Sequence, residues 1–126
     1  MKTPRLLFVE DDPVFAANMI ILLRLAGFEV RCCTSLAEGT DCLINQGPFD
    51  AVVADFHLGD GLGTELLSLA REQANVKVRV LFSGTDLWYV RCILGERADA
   101  ALLGVEYEPK WHGSSPLIAL IRKGLV

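Results

Sequence analysis

The sequence predicts an α/β protein, a doubly wound parallel sheet of five strands with helices on both faces. Two observations carry this prediction. Short apolar runs of buried-strand type alternate with segments of helical period, strand then helix, five times over, and the connections are short. The chain has 126 residues, 52% of them hydrophobic, without an internal linker, repeat or low-complexity tract, so residues 1–126 are read as one domain with one core.

Leu6-Leu7-Phe8-Val9 is the first strand, and it runs into Glu10-Asp11-Asp12. Asp12 is placed to cap a helix whose first position takes Pro13; Phe15, Met19, Leu22, Leu23 and Ala26 form its apolar face, and Gly27 ends it. Phe28 to Cys32 alternates as a strand does. Ser35-Leu36-Ala37-Glu38 has capping-box spacing for a second helix faced by Leu36, Leu43 and Ile44, which Gly47-Pro48 stops. Phe49 to Ala54 is a continuous strand that ends at Asp55, followed by a loop with Gly59, Gly61 and Gly63. Leu66, Leu67 and Ala70 line the third helix. Val76 to Phe82 is the fourth strand, ending at Ser83-Gly84-Thr85, and residues from Asp86 to Gly95 form a fourth helix with a less regular apolar face. Strand five lies between Ala100 and Pro109, although Ala100 to Leu103 also suits a helix. Ser115-Pro116 is expected to cap and open a last helix carrying Leu117, Leu120 and Ile121.

Composition narrows the function. A net charge of −4 gives no support to direct nucleic-acid binding, which shows a basic face. Only four apolar residues separate Arg5 from Glu10, too few for a signal-peptide core or a membrane span, so the expected compartment is the cytoplasm, with no membrane partner. Cys32, Cys33, Cys42 and Cys92 form no C-x-x-C pair and are read as reduced core residues. Asp60 is read as a turn residue, and His57 and His112 as surface loop residues.

In an open parallel sheet, ligands bind outside the carboxyl ends of the strands. Those ends here carry Glu10 and Asp11, then Asp55, Ser83 and Lys110. Three converging carboxylates are electrostatically costly without a cation among them, and a hard all-oxygen donor set suits Mg²⁺, which keeps waters and recruits phosphate oxygens. A lysine and a hydroxyl opposite such an ion would hold a phosphoryl group.

Val9 to Pro13, Ala51 to Asp55, Leu58 to Gly63, Leu81 to Gly84 and Lys110, in that order, resemble the receiver domain of two-component response regulators. The resemblance spans essentially the whole chain. It implies a flavodoxin-like (βα)5 sheet of order 2-1-3-4-5, with strands one and three adjacent. It also implies that Asp55 accepts a phosphoryl group from a histidine kinase or phosphotransfer protein. Asp11 would be a direct Mg²⁺ ligand with Glu10 its acidic neighbour, and the His57 carbonyl would be a further ligand. Ser83 would be the switch hydroxyl, Tyr107 the rotating aromatic, and Lys110 the partner of the phosphoryl group. Such a domain is not an enzyme on other substrates; it catalyses only its own phosphorylation and dephosphorylation. Its last two strand-helix units, here with Trp88, Tyr89, Tyr107 and Trp111, would bind an output protein or a second copy.

Three departures from the family pattern carry expectations. Gly59 stands where proline is usual, which predicts a looser loop. Trp111 stands where proline follows the lysine, often through a cis bond; a cis bond before a non-proline residue costs about 2.5–4 kcal/mol, so Lys110-Trp111 is expected to be trans. The Ser83–Lys110 stretch is also longer than usual. The alternative function is a pseudo-receiver, the same fold acting as a phosphorylation-independent protein-binding module. A flavin-binding protein would need a phosphate-cradling loop where this chain has three acids, and an aspartyl-phosphate phosphatase commonly has a second aspartate where this chain has His57.

Overall fold

The computed structural model describes residues 2–126; Met1, the first residue of the domain expected over 1–126, lies outside the described residues. The elements are β1 (Arg5–Val9), α1 (Pro13–Leu25), β2 (Glu29–Cys33), α2 (Leu36–Asn45), β3 (Ala51–Ala54), β4 (His57–Leu58), β5 (Gly61–Leu62), α3 (Gly63–Ala70), β6 (Val78–Ser83), α4 (Leu87–Leu94), α5 (Ala98–Ala101), β7 (Glu106–Pro109) and α6 (Ser114–Leu125). The main sheet is parallel, in the order β2-β1-β3-β6-β7, and β4-β5 is a separate two-stranded hairpin. Setting that hairpin aside, this is the expected 2-1-3-4-5 order.

The continuous apolar runs arise because the central strands are buried on both faces. Alternate residues divide between two cores. Leu7, Val9, Val52, Ala54 and Leu81 pack with Leu43 of α2, Leu66 of α3 and Val90 of α4. Leu6, Phe8, Ala51, Val53, Val80 and Phe82 pack with Met19 and Leu23 of α1 and with Leu117 and Ile121 of α6. Two helix faces differ from expectation. Leu22 and Ile44 point to solvent, while Ala16 in α1 and Gly39 and Cys42 in α2 are buried in their helices. Gly39 is required there, since a Cβ would come within 2.9 Å of Val9 Cγ2.

The caps follow the sequence in part. Asp12 Oδ1 accepts from the Val14 and Phe15 amides, Asp86 Oδ1 from Tyr89 N, and Ser35 Oγ from Glu38 N. Glu38 then reaches Thr34 N rather than Ser35 N. α6 begins at Ser114, one residue before the expected cap, so Ser115 and Pro116 lie inside its first turn, where a missing N–H costs nothing because those amides have no partner within the helix. The long Ser83–Lys110 stretch holds a 3-10 turn at Gly95–Arg97 and the short α5, so Ala100 and Ala101 are helical and the last strand starts only at Glu106. Cys33 and Cys42 are buried as expected, Cys32 is half-buried, and Cys92 is exposed on α4, contrary to its reading as a core residue. No helix among the described residues is long and apolar enough to cross a membrane.

Candidate functional site

The sheet register brings the chemistry together. Val9 lies beside Ala54, so the next residues, Glu10 and Asp55, leave adjacent strands at the same edge. Cys33 O accepts from Glu10 N, and Val9 O accepts from Asp55 N, both at 3.0 Å. Ser83 pairs with Pro109 at the ends of β6 and β7, which places Lys110 one step beyond the sheet. Each group is thus fixed by backbone pairing rather than by a flexible tether.

Glu10 is 1% exposed, and its Oε1 meets Lys110 Nζ in an ion pair; its Oε2 accepts from Asp12 N at 3.1 Å. Lys110 Nζ also lies 3.2 Å from Asp55 Oδ2 and 4.6 Å from the centre of the Phe15 ring. Asp55 Oδ1 accepts from Phe56 N at 2.8 Å, leaving Oδ2 toward the lysine. Burial raises the Glu10 pKa, and the Asp55 charge adds to that, while the Lys110 hydrogen bond works against it. Oxygens of Glu10, Asp11 and Asp55 lie within 4.8 Å of one another. Their hard-oxygen chemistry fits Mg²⁺: Asp11 is exposed toward solvent, and the buried Glu10 Oε1 has the ammonium as its one partner among the described residues.

Ser83 is buried, and its Oγ accepts from Thr85 N at 3.0 Å. The Tyr107 hydroxyl donates to Thr85 O at 2.7 Å; burial, then the charges of Asp86 and Glu108, raise its pKa. Serine and tyrosine therefore hold the same short loop from two sides. The Lys110–Trp111 peptide is trans, within a 3-10 turn over Lys110–His112. His57 is exposed in β4, directly after the Asp55-Phe56 pair. Trp88 is 73% and Trp111 62% exposed, with Tyr89 half exposed.

Sequence reasoning missed three supports. Asp60, read as a turn residue, accepts from Leu36 N at 2.7 Å and Ala37 N at 2.9 Å, so it also caps α2 from the glycine loop. Those two amides lower its pKa, and the loop expected to be loose is held to α2 and closed as a hairpin. The sign follows: this contribution is complete above pH 3.8 and is lost as pH falls through the depressed folded value. Asp60→Ala is expected to lower the unfolding temperature at pH 7, and Asp60→Asn, which keeps one acceptor oxygen, to recover part of the loss in a calorimetric scan. Gly63 is the second support: its N–H donates to Phe56 O at 2.8 Å, and a Cβ there would overlap the Asp55 carbonyl oxygen. The third is Phe15, which the helical period assigned to the core alone. Only the G-D-G-L-G spacing hinted at the first two.

No protein-family model matches the chain. The sensor protein TorS of Escherichia coli K12 is 28% identical over 105 residues, 83% of this chain and 11% of that protein. The transcriptional activator protein PfeR of Pseudomonas aeruginosa is 39% identical over 75 residues, 59% of this chain and 24% of that one. The match thus spans a quarter or less of these curated relatives. Among solved structures, a CheY-like response regulator receiver domain protein from Methanospirillum hungatei JF-1 superposes with TM-score 0.82 at 24% identity, covering 98% of this chain and 94% of the other. The response regulator TrrA of Thermotoga maritima, in complex with Mg²⁺-BeF, gives TM-score 0.79 at 20% identity, covering 97% and 99%. The receiver domain of the hybrid histidine kinase CckA gives 0.74 at 24%, covering 97% and 99%. The chain has the fold of these response-regulator receiver domains over nearly its whole length, and it is the receiver family that its strand-end motifs resemble.

Proposed function

We propose that residues 1–126 form a phosphoacceptor receiver domain, which takes a phosphoryl group from a histidine kinase or phosphotransfer protein onto Asp55. The observation that carries this reading is the Glu10–Lys110–Asp55 contact beside Asp11: a carboxylate oxygen at the sheet edge, one cation against it, and two further acids.

Asp55 is held for the task. Its Oδ1 is engaged by Phe56 N, so Oδ2 is the attacking oxygen; it forms the new O–P bond as the P–N bond to the donor imidazole breaks. Lys110 lies within reach of that oxygen and balances the added charge. Glu10, Asp11 and Asp55, with the His57 carbonyl, would hold Mg²⁺, which when bound supplies charge neutralisation for the carboxylates and the phosphoryl oxygens. The product is a dianion near a buried serine hydroxyl. Ser83 would donate to it, giving up Thr85 N, and the Thr85 carbonyl held by Tyr107 would move with that loop. α4, with its exposed Trp88 and Tyr89, follows at once, so the change would reach a surface suited to an output protein or a second copy.

The test uses both tryptophans as reporters. Mg²⁺ with beryllofluoride is expected to change their fluorescence, with no response in Asp55→Ala or in excess chelator. A folded wild-type protein that stays silent at saturating Mg²⁺ would overturn this reading in favour of the pseudo-receiver.

A further inference from the structure

Phe15 is the one aromatic residue of α1, the helix that starts just past the acids at the sheet edge. The buried positions of that helix are Ala16, Met19 and Leu23, side chains without a ring. Phe15 is half-buried and held from two sides: its backbone N–H donates to Asp12 Oδ1 at 3.2 Å, and its ring centre lies 5.8 Å from that of Phe82, tilted by 35°. Phe82 is itself buried and directly precedes Ser83 in β6. Lys110 Nζ stands over the Phe15 ring, 4.6 Å from its centre, inside the reach of about 6 Å at which an aromatic face attracts a cation. The same ammonium meets Glu10 Oε1 and Asp55 Oδ2. It thus has three attractive neighbours, two that carry charge and one that does not. The Lys110 side chain is 19% exposed, so little water competes with the ring, and such a contact is stronger where the cation is desolvated.

We propose that Phe15 is a positioning residue for phosphoryl transfer: its ring keeps the Lys110 ammonium at Asp55 while that ammonium changes partners. This role rests on the phosphoacceptor reading. Once Asp55 Oδ2 has formed its bond to phosphorus, the ammonium must leave that oxygen for a phosphoryl oxygen. A hydrogen bond is directional and weakens steeply as it bends, whereas attraction to a ring face is broad and survives a small shift of the cation. Glu10 cannot follow such a shift, since it is buried and its Oε2 is held by Asp12 N. An aliphatic side chain in place of Phe15 would fill similar space and offer the ammonium nothing, which would leave Glu10 to draw it away from Asp55.

The experiment measures beryllofluoride affinity of the whole chain at saturating Mg²⁺ by tryptophan fluorescence. Phe15→Leu, and replacement of Phe15 by trifluorophenylalanine, which keeps the shape of the ring but withdraws negative charge from its face, should each weaken binding at least about fivefold, roughly 1 kcal/mol. Phe15→Tyr keeps the ring face and should stay within about twofold of the wild type. Urea unfolding in excess chelator should show the same pairing: the fluorinated ring lowers stability when Lys110 is present and leaves it unchanged in Lys110→Met. A wild type that does not bind beryllofluoride overturns the phosphoacceptor reading and this role with it. A wild type that binds, alongside a fluorinated variant that binds equally well, overturns this role alone. So does a loss of stability on fluorination that is equal with and without Lys110.

Discussion

Gly63→Ala is expected to cost at least about 3 kcal/mol, whereas Gly59→Ala, four residues away in the same loop, should leave stability nearly unchanged. A core overpacked by side chains loses about 1–3 kcal/mol because rotamers and backbone can yield. At Gly63 the added carbon meets the backbone carbonyl of Asp55, with the Ala54 Cβ 3.2 Å away, so there is no flexible end to give. Relief would require α3 to back away from β3 and break the Gly63 N–H to Phe56 O bond. At Gly59 a Cβ meets nothing within 4 Å. The check is urea unfolding of both variants; for a domain of this size the Gly63 variant should also melt about 10 °C or more below the wild type. Equal midpoints for the two variants would show that the β3–α3 junction yields freely. Because the clash falls on Asp55 itself, any Gly63→Ala protein that does fold is also expected to respond poorly to beryllofluoride.

Lys110→Met is the second large effect, and it depends on pH. Methionine keeps a stem of similar length but removes the cation that faces both Glu10 and Asp55 and lies over the Phe15 ring. Removing one partner of a buried pair costs about 3–5 kcal/mol; Lys110 is 19% exposed and Glu10 can take up a proton, so about 2 kcal/mol is expected at pH 7 in chelator. The sign of the pH dependence comes from Glu10, whose folded pKa lies above 4.5. As pH rises past 4.5 the unfolded chain releases this proton while the folded chain retains it, so stability falls through that window and levels off above the folded value. In Lys110→Met the lowering by the lysine is gone and the window reaches higher. Denaturation midpoints at pH 5 and pH 8 should therefore diverge more in the variant than in the wild type, and Mg²⁺ should narrow the gap. A stability difference independent of pH would mean that Glu10 does not carry it.

Much of this site was legible because strand ends are local features. An apolar run that breaks at Glu10, or at Asp55, declares both the strand and its edge, and a parallel sheet then aligns those edges without further information. What escaped was long-range. Nothing within the loop sequence says that Asp60 bonds amides 23 and 24 residues earlier, or that Phe15, one apolar position among several in its helix, lies beneath Lys110. Helical period also overcounts: Leu22 and Ile44 match the spacing but lie at the edge of their faces, where small residues such as Ala16 and Gly39 make the actual contact. The late start of β7 had the same source. Ala98–Ala101 forms one helical turn on local propensity and then ends, and a pattern that short has no period to read.

The anchoring of the loop after Asp55 has a mechanical consequence. On that side, Asp60 ties the loop to α2, Gly63 ties it to Phe56, and Phe56 N holds the Asp55 carboxylate, so the pocket has one stiff wall. On the other side, the Gly84–Asp86 segment hangs on the Ser83 hydroxyl and the Tyr107 hydroxyl, two bonds that each turn on a single side-chain torsion. A phosphoryl group placed on Asp55, as proposed, would stand between a rigid wall and a hinged one, and the hinged one would be the wall to move.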